Sequence, residues 1–245
     1  MKAADAMRAT DVIDVEDVSP HEHFDGVYWA KFKDKSRRLA TENLSPGRSV
    51  YGEQLVKFRR KEYRLWDAYR SKLAAAILKG IKEVPISPGR RILYLGAASG
   101  TTASHVSDIV RKEGTVFAVE FAQRTMRELI EQVCSQRPNL SPILADARHP
   151  SAYRSLVPPV DALYCDIAQP EQARILADNC DLYLKETGSA MIAVKSRSVD
   201  VTMSPGAVFS QEKRTLVERG FKIIDSVRLE PYEKDHAMFV IARDK

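Results

Sequence analysis

The sequence predicts an α/β protein, in which a mostly parallel sheet carries helices on both faces and follows a small β-rich domain. From Arg91 onward, short apolar runs alternate with amphipathic segments, which is typical of strands joined by crossover helices. The first apolar run ends at a glycine turn that begins at Gly96. The last two runs are separated only by residues 230–235, too few for a crossover, so the last strand should be antiparallel. These observations predict a Rossmann-like sheet with an antiparallel last strand.

The apolar runs set the predicted elements of this larger sheet. In chain order they are strand 91–95, helix 102–112, strand 115–120, helix 123–134, strand 140–144, strand 161–165, helix 169–183, strand 189–195, helix 209–219, strand 221–229 and strand 236–242. Ahead of them, residues 66–81 carry apolar side chains at helical spacing, and three alanines at 74–76 favour a helix there. Gly80 is expected to end it.

The first part of the chain has the pattern of a small β-rich unit. Residues 1–17 are polar and acidic, and they form either a poorly packed end or an edge strand around residues 12–15. Residues 26–33 and 37–41 alternate around a turn at residues 34–35, which predicts a hairpin. The unit has too few apolar residues to be stable alone, so we expect it to pack against the rest of the chain.

The composition limits the class of protein. A chain of 245 residues, 44% of them apolar and 29% charged, has room for two domains, which we place at residues 1–66 and residues 67–245. No apolar run reaches the length of a membrane span, and the N-terminus has no apolar signal core, so we expect a cytoplasmic protein that does not contact a membrane. Cys134, Cys165 and Cys180 form no C-x-x-C pair, which predicts buried thiols rather than a disulfide framework or a metal site.

Basic and aromatic residues are interleaved in the β-rich unit. The net charge is +5, a modest excess that suits an anionic partner without requiring one. The basic side chains are Lys31, Lys33, Lys35, Arg37 and Arg38, and the aromatic ones are Tyr28, Trp29 and Phe32. Two interpretations stay open: a surface that meets phosphates and bases, or solvated cations opposite a buried aromatic face. Residues 58–61 form a second basic run.

Ligands of open α/β sheets bind at the carboxyl ends of the strands. The turn from Gly96 to Thr102 lacks the third glycine of the dinucleotide pattern, which argues against a nicotinamide dehydrogenase. By itself the turn is either structural or a cofactor site. Glu120 ends the next strand, about 20 residues later, where an acid accepts hydrogen bonds from a ribose. With Phe121 as an aromatic wall and Asp146 for the exocyclic amine of adenine, these strand ends predict a nucleoside pocket.

Several segments carry a resemblance to a known family. They are YLGAASGTT, AVEFAQR, ADARHP, DALYCDIAQP, MIAVKSRS and KDHAMFV, preceded by YGE at residues 51–53 and by YRLWDAYRSKLAAAI. Together they resemble fibrillarin, the AdoMet-dependent methyltransferase of box C/D ribonucleoproteins. The similarity runs from about Gly26 to the C-terminus, and the Gly/Arg-rich extension of eukaryotic members is absent, so the chain is most similar to the shorter archaeal type.

The resemblance implies a function and a set of site residues. The implied activity is guide-directed 2′-O-methylation of ribose in rRNA and possibly tRNA, with S-adenosyl-L-methionine (AdoMet) as cofactor. The cofactor-binding residues implied are Gly96, Ala97, Thr101, Thr102, Glu120, Phe121, Asp146, Ala147, Asp166, Ile167, Ala168 and Gln169. The catalytic residues implied are Lys72, Asp166, Lys195 and His236. The implied partners are a Nop-type scaffold protein, a kink-turn-binding ribosomal-type protein, a box C/D guide RNA and the target RNA.

The chemistry of methyl transfer explains why such residues are needed. A ribose 2′-hydroxyl is scarcely ionised at neutral pH, so a group must accept its proton or stabilise the developing alkoxide. Lys195 is the leading candidate for that group, Asp166 is expected to orient it, and Lys72 and His236 are assigned as positioning groups, with the route of the proton left open. Two other functions stay open: a protein methyltransferase acting on glutamine, and a non-catalytic ribonucleoprotein subunit.

Overall fold

The computed structural model describes residues 13–244, which form two β-sheets and six α-helices. The strands are β1 (Ile13–Asp14), β2 (Asp17–Pro20), β3 (Val27–Lys31), β4 (Arg37–Glu42), β5 (Leu55–Phe58), β6 (Lys61–Leu65), β7 (Arg91–Leu95), β8 (Thr115–Glu120), β9 (Leu140–Leu144), β10 (Val160–Cys165), β11 (Leu184–Lys195), β12 (Phe221–Arg228) and β13 (His236–Arg243). The helices are α1 (Lys72–Leu78), α2 (Thr101–Val110), α3 (Gln123–Gln132), α4 (Gln172–Tyr183), α5 (Ser196–Val199) and α6 (Pro205–Glu218).

The larger sheet has the strand order β12-β13-β11-β10-β7-β8-β9. Neighbouring strands from β11 to β9 are parallel, whereas β13 runs antiparallel to both β11 and β12. The predicted sheet and its antiparallel last strand are therefore confirmed, with β13 inside the sheet rather than at its edge. Chain order reverses between β7 and β10, and at such a switch point an open α/β sheet forms a crevice for ligands.

The central strands are buried on both faces, which explains their continuous apolar runs. In β7, Ile92 and Tyr94 pack into one core layer, and Leu93 and Leu95 pack into the other. The first layer also holds apolar residues of α1, α2 and α3, and the second holds those of α4 and α6. Because side chains alternate across a strand, each central strand must be apolar at consecutive positions to fill both layers.

The smaller sheet has the order β1-β5-β6-β4-β3-β2, with β1 parallel to β5 and the other pairs antiparallel. The predicted hairpin is confirmed as β3 and β4. The expected edge strand is present at Ile13–Asp14, and β2 begins at Asp17. Residues 1–12 of that acidic segment lie outside the described residues. Residues 58–61 include the turn of a second hairpin, where Arg59 has φ 56°, a turn that the sequence analysis did not predict.

The smaller sheet is joined to α2 by apolar and ionic contacts, as expected for a unit that cannot fold alone. Leu39 and Trp66 share a core layer with apolar residues of α2. The carboxylate of Asp108, in α2, accepts from Arg64 Nη1 at 2.8 Å and also pairs with Arg137. Arg64 Nε donates to Glu53 at 2.5 Å. These buried charges are mutually paired, as burial requires. The division into domains at residue 66 stays a prediction.

The helix predicted over residues 66–81 is shorter, and α1 begins only at Lys72. The reason is that hydrogen bonds between side chains and the backbone favour a turn before residue 72 over a helix. The carboxylate of Asp67 accepts from the N–H of Tyr69 at 2.9 Å, which favours a turn. The hydroxyl of Ser71 then caps the helix by accepting from the N–H of Ala74 at 3.4 Å. Other bounds also differ: α4 begins at 172, β11 begins at 184, α6 begins at 205, and α5 was not predicted.

The cysteines are free thiols, but only two of them are buried. Cys165 and Cys180 lie in the core, whereas Cys134 is of intermediate exposure. The expectation of three buried thiols was wrong for Cys134 because it begins the short 3₁₀ turn Cys134–Gln136 after α3, at the edge of a core layer. None of the helices in residues 13–244 is both long and apolar enough to span a bilayer. The cytoplasmic location stays a prediction.

Candidate active site

A cavity of about 280 Å³ opens at the carboxyl edge of the larger sheet, where β7, β8, β9, β10 and β11 end. The predicted site residues that line it are Gly96, Glu120, Phe121, Asp146, Ala147, Asp166, Ile167, Ala168, Gln169 and Lys195. The other predicted residues, Ala97, Thr101, Thr102, Lys72 and His236, lie outside that lining. The strand ends therefore bring most of the predicted residues to one place.

Gly96 turns the chain away from β7 with φ +79°, a conformation that favours glycine. A Cβ at this position would lie 2.8 Å from the carbonyl oxygen of Asp166 and 3.0 Å from Cγ2 of Ile167. The N–H groups of Gly96 and Ala97 both donate to the carbonyl of Val119, at 2.9 and 3.1 Å. These hydrogen bonds connect the turn to β8. The turn also lies so close to the loop after β10 that a side chain at residue 96 would clash with that loop.

The glycine turn also positions the first helix. Gly100 precedes α2 with φ +96°, and a Cβ there would lie 2.6 Å from Cδ1 of Leu129 in α3. Thr101 and Thr102 are the first residues of α2. The buried hydroxyl of Thr102 donates to Oγ of Ser71 at 3.0 Å. Since Ser71 caps α1, this bond fixes the start of the helix that begins with a predicted catalytic lysine.

Glu120 is buried with both carboxylate oxygens held by backbone. Its Oε2 accepts from the N–H of Ala98 at 3.0 Å, and its Oε1 accepts from the N–H of Ala122 at 2.9 Å. Only 7% of the residue is exposed. An ionised carboxylate offers about four lone-pair positions, so each oxygen keeps acceptor capacity. A carboxylate oriented in this way is suited to receive two ribose hydroxyls.

Phe121 and Asp146 form the outer wall of the cavity. Phe121 is 65% exposed, which leaves its ring free to cover an apolar face of a ligand. Asp146 holds Arg148: its oxygens accept from the backbone N–H, Nε and Nη2 of that arginine at 2.6–3.1 Å. Hydrogen bonds from the Arg148 side chain lower the pKa of Asp146. The sequence patterns did not indicate this arginine, because its pairing depends on the loop after β9.

Two lysines flank one aspartate at the mouth of the cavity. Lys195 ends β11, and its Nζ lies 2.8 Å from Oδ1 of Asp166 and 3.0 Å from the carbonyl oxygen of that residue. Lys72 Nζ donates to Oδ2 of Asp166 at 3.3 Å. Oδ1 is buried, and its contact with Lys195 is not aligned as a hydrogen bond. The carboxylate of Asp166 therefore holds the two ammonium groups on either side of it, Lys72 at Oδ2 and Lys195 at Oδ1.

His236 joins this cluster through Glu233, a residue that sequence reasoning missed. Nδ1 of His236 lies 2.6 Å from the carbonyl of Lys234, and because a carbonyl only accepts, Nδ1 carries a hydrogen. Oε2 of Glu233 lies 3.9 Å from that Nδ1, and its Oε1 lies 3.9 Å from Nζ of Lys72. The sequence could have indicated Glu233, because it lies in the short acidic connector between the last two strands. A connector of that length must stay close to the ends of the two strands that it joins.

Comparison with known proteins shows the family of this chain. The model of the family described as Fibrillarin matches residues 18–245. This chain belongs to the fibrillarin family. A fibrillarin-like rRNA/tRNA 2′-O-methyltransferase from Pyrobaculum islandicum is 56% identical over 234 residues, which is 95% of this chain and 99% of the relative.

Solved structures of fibrillarins have the same fold. The crystal structure of Aeropyrum pernix fibrillarin, with natively bound S-adenosyl-L-methionine, is 50% identical and has a TM-score of 0.88, over 94% of this chain and 100% of that one. The structure of a fibrillarin/Nop5p complex is 42% identical with a TM-score of 0.78, over 91% of this chain and 100% of that one. The α/β fold and the preceding β-rich sheet are therefore those of a fibrillarin.

Proposed function

We propose that this fibrillarin transfers a methyl group from AdoMet to the 2′-hydroxyl of a ribose in rRNA or tRNA, directed by a box C/D guide RNA. The observation that carries the proposal is the Lys72–Asp166–Lys195 cluster at the mouth of a cavity built for a nucleoside. The names of the relatives and the AdoMet-bound fibrillarin support it.

The residues of the cavity fit AdoMet. The close approach at Gly96 leaves room for backbone only, and the carboxylate of Glu120 is held with acceptor capacity to spare for a ribose. Phe121 provides an exposed aromatic ring, and Asp146 lies beside it in the lining. When bound, AdoMet supplies an electrophilic methyl group on a sulfonium centre. Ala97, Thr101 and Thr102 support this site from the turn and the start of α2.

The ammonium groups of Lys72 and Lys195 place positive charge where an alkoxide oxygen would form, and such preorganised charge is worth more inside a protein than in water. Asp166 contacts both ammonium groups, at 3.3 and 2.8 Å, and so fixes their positions. In this assignment Lys195 stabilises the acceptor oxygen, and Lys72 and His236 position it. Alignment of the hydroxyl with the methyl group provides a large part of the rate.

We place the chain in a box C/D ribonucleoprotein. A Nop-type scaffold protein is its direct partner, supported by the fibrillarin/Nop5p structure. A kink-turn-binding ribosomal-type protein and the guide RNA complete the assembly. The net charge of only +5 is consistent with an enzyme that is delivered to its RNA by partners, because strong independent binding of RNA needs many phosphate contacts.

The test is transfer of labelled methyl from AdoMet to a target RNA in the reconstituted complex, with a 2′-hydroxyl or a 2′-deoxy nucleotide at the predicted position. Label on the hydroxyl RNA alone supports the proposal, and Lys195→Ala should abolish it. Lys61→Ala is the matched control, because Lys61 also pairs with a carboxylate, Glu42, at 2.7 Å but on the surface. Equal label on both RNAs, label on protein glutamine, or AdoMet binding without transfer would overturn it.

A further inference from the structure

A second and larger depression lies beside the catalytic cluster. This groove, of about 660 Å³, runs between the smaller sheet and the start of α1. Its lining includes Arg37 and Arg38 from β4, Tyr69 and Arg70 from the turn before α1, and Tyr232 from the connector between β12 and β13. None of these residues lines the cavity at the strand ends. The groove is therefore a surface that the cofactor site does not use.

Two tyrosines at one end of the groove connect it to the catalytic cluster. The rings of Tyr69 and Tyr232 meet edge to face with centroids 5.2 Å apart. Tyr69 lies three positions before Lys72, and Tyr232 directly precedes Glu233, whose carboxylate lies 3.9 Å from both Lys72 Nζ and His236 Nδ1. The segments that carry Lys72 and His236 therefore also carry the tyrosine pair, and Tyr69 is 65% exposed.

The walls of the groove are cationic. Arg37 is stacked over Trp29 at 4.4 Å and Arg38 over Phe32 at 5.3 Å from the ring centroids, so basic and aromatic residues share a face. Lys31, Lys33 and Lys35 are exposed, so for the lysines the two interpretations stay open. Arg70 is stacked over Tyr51 at 4.8 Å and donates to the carbonyl of Tyr51 at 2.9 Å. Stacking fixes these guanidinium groups while leaving N–H donors for an anion.

The acidic residues of the groove do not cancel this charge. Glu53 is buried, and its oxygens accept from the backbone of Val50 and Tyr51 and from Arg64. The carboxylate of Asp67 accepts from the N–H of Tyr69 at 2.9 Å. Arg37 also lies 3.8 Å from a carboxylate oxygen of Glu22, outside the groove, and Arg38 donates to Gln54 at 3.1 Å. Each of these contacts uses one nitrogen of the guanidinium group, so N–H donors remain and the groove is complementary to a chain of phosphates.

We propose that this groove binds the RNA strand that carries the acceptor ribose, with Tyr69 stacking on the base of a nucleotide next to the acceptor. Arg37, Arg38 and Arg70 contact phosphates of the same strand. The inference rests on the proposed function and adds a positioning surface to it. Exposed aromatic rings next to arginines are the features that bind unpaired nucleotides, and the tyrosine pair is tied to Lys72 through Tyr69, three positions before it, and through Glu233, which follows Tyr232.

The first test compares two pairs of arginines in the full chain within the reconstituted complex. Arg37→Gln/Arg38→Gln removes two charges from the groove, and Arg59→Gln/Arg60→Gln removes two from the β5–β6 turn outside it. All four side chains are exposed, so neither change should affect folding. The groove pair should raise the KM for target RNA severalfold, and the turn pair should leave it unchanged. AdoMet affinity should stay as in the wild type in both.

The second test uses Tyr69→Ala, Tyr69→Phe and RNAs that carry an abasic nucleotide on either side of the acceptor. Base stacking on an aromatic ring corresponds to about a tenfold change or more, so Tyr69→Ala should raise KM by that factor, while Tyr69→Phe restores it. In the wild type, an abasic nucleotide at the stacked position should raise the KM by the same factor as Tyr69→Ala does. In Tyr69→Ala, the abasic nucleotide should raise the KM no further. That shared loss distinguishes stacking from a structural role of the tyrosine.

The outcomes separate this inference from the proposed function. If the wild type transfers no methyl to the hydroxyl RNA, the proposed function fails. If the wild type is active while Tyr69→Ala and Arg37→Gln/Arg38→Gln retain its KM, only the groove assignment fails. If these variants instead lose the scaffold protein on gel filtration without RNA, the groove is a protein interface and the inference is overturned.

Discussion

Lys195 and His236 face each other across two antiparallel strands, as the last residue of β11 and the first residue of β13. Directly opposed residues of an antiparallel pair project from the same face. Because β13 runs against the parallel strands, its amino end lies at their carboxyl edge. The reversed strand therefore explains how a residue at the beginning of a strand joins a site that is otherwise made of strand ends.

Asp166→Asn should nearly abolish methyl transfer while the fold survives. The amide cannot balance two ammonium groups, so Lys72 and Lys195 would separate and no longer hold the acceptor oxygen. We expect a fall in the single-turnover rate at saturating AdoMet of about 100-fold or more. Glu42→Gln is the control, since Glu42 pairs with Lys61 on the surface. A near-normal rate for Asp166→Asn, with circular dichroism unchanged, would contradict the assignment.

Glu120→Gln should weaken AdoMet binding and also lower the thermal midpoint, because one buried backbone N–H loses its acceptor. A glutamine keeps one acceptor for Ala98 or Ala122 but turns an NH₂ group toward the other N–H, so it cannot accept from two ribose hydroxyls. Hydrogen bonds to charged groups contribute about 1.5–3 kcal/mol, which corresponds to a rise in Kd of roughly 10- to 100-fold. Calorimetric titration with AdoMet measures this change in Kd.

The matched variant for that titration is Glu128→Gln. Glu128 lies on α3, the next helix, and its carboxylate pairs only with Arg124 at 3.4 Å in a surface contact between successive turns. Its Kd for AdoMet should equal that of the wild type. Equal affinities for Glu120→Gln and Glu128→Gln would show that the carboxylate of Glu120 does not hold the cofactor.

The strand ends were predictable because a short apolar run fixes where a buried strand stops, and parallel strands stop at one edge. Gly96, Glu120, Asp166 and Lys195 all follow from that rule. Loop pairings did not follow from it. Arg148 binds Asp146 within one loop, and the interaction depends on a backbone path that no periodicity encodes.

The sequence patterns also could not predict where a helix begins or which polar side chains pair over a long distance in the chain. The alanine-rich segment favoured a helix from residue 66, yet the Asp67 turn and the Ser71 cap delay it to Lys72. Thr102 was assigned to the cofactor by resemblance, but its hydroxyl bonds Ser71, 31 positions away. Such contacts exist only after the sheet and helices have packed, so local propensity cannot reveal them.

Gly96→Ala and Gly220→Ala form a matched pair, because both glycines have φ +79°. No atom lies within 4 Å of a Cβ built at Gly220, whereas one at Gly96 meets the carbonyl oxygen of Asp166 at 2.8 Å. The left-handed backbone alone costs about 1 kcal/mol in each. Gly96→Ala should lose more stability than that in urea unfolding and should also weaken AdoMet binding. Equal losses, with AdoMet affinity retained in both, would show that the close approach is unimportant.

His105 should make the protein less stable below neutral pH. Burial and the positive charges of Arg64 and Arg137 lower the pKa of His105 well below its ordinary value. The hydroxyl of Thr41 donates to Asp108 and so accepts from Nδ1 of His105. Nε2 is left to accept from the hydroxyl of Tyr51 at 2.8 Å, so the folded ring is neutral. Below about pH 6.5 the unfolded chain binds a proton that the folded ring does not, and the free energy of unfolding should fall by up to about 1.4 kcal/mol per pH unit. Above that pH the contribution of His105 to stability is fully present.

Urea unfolding from pH 8 to pH 5 measures how steeply the free energy of unfolding depends on pH. That dependence should be weaker in His105→Gln than in the wild type or in His23→Gln, whose side chain is exposed. Identical slopes in all three proteins would mean that another group causes the loss.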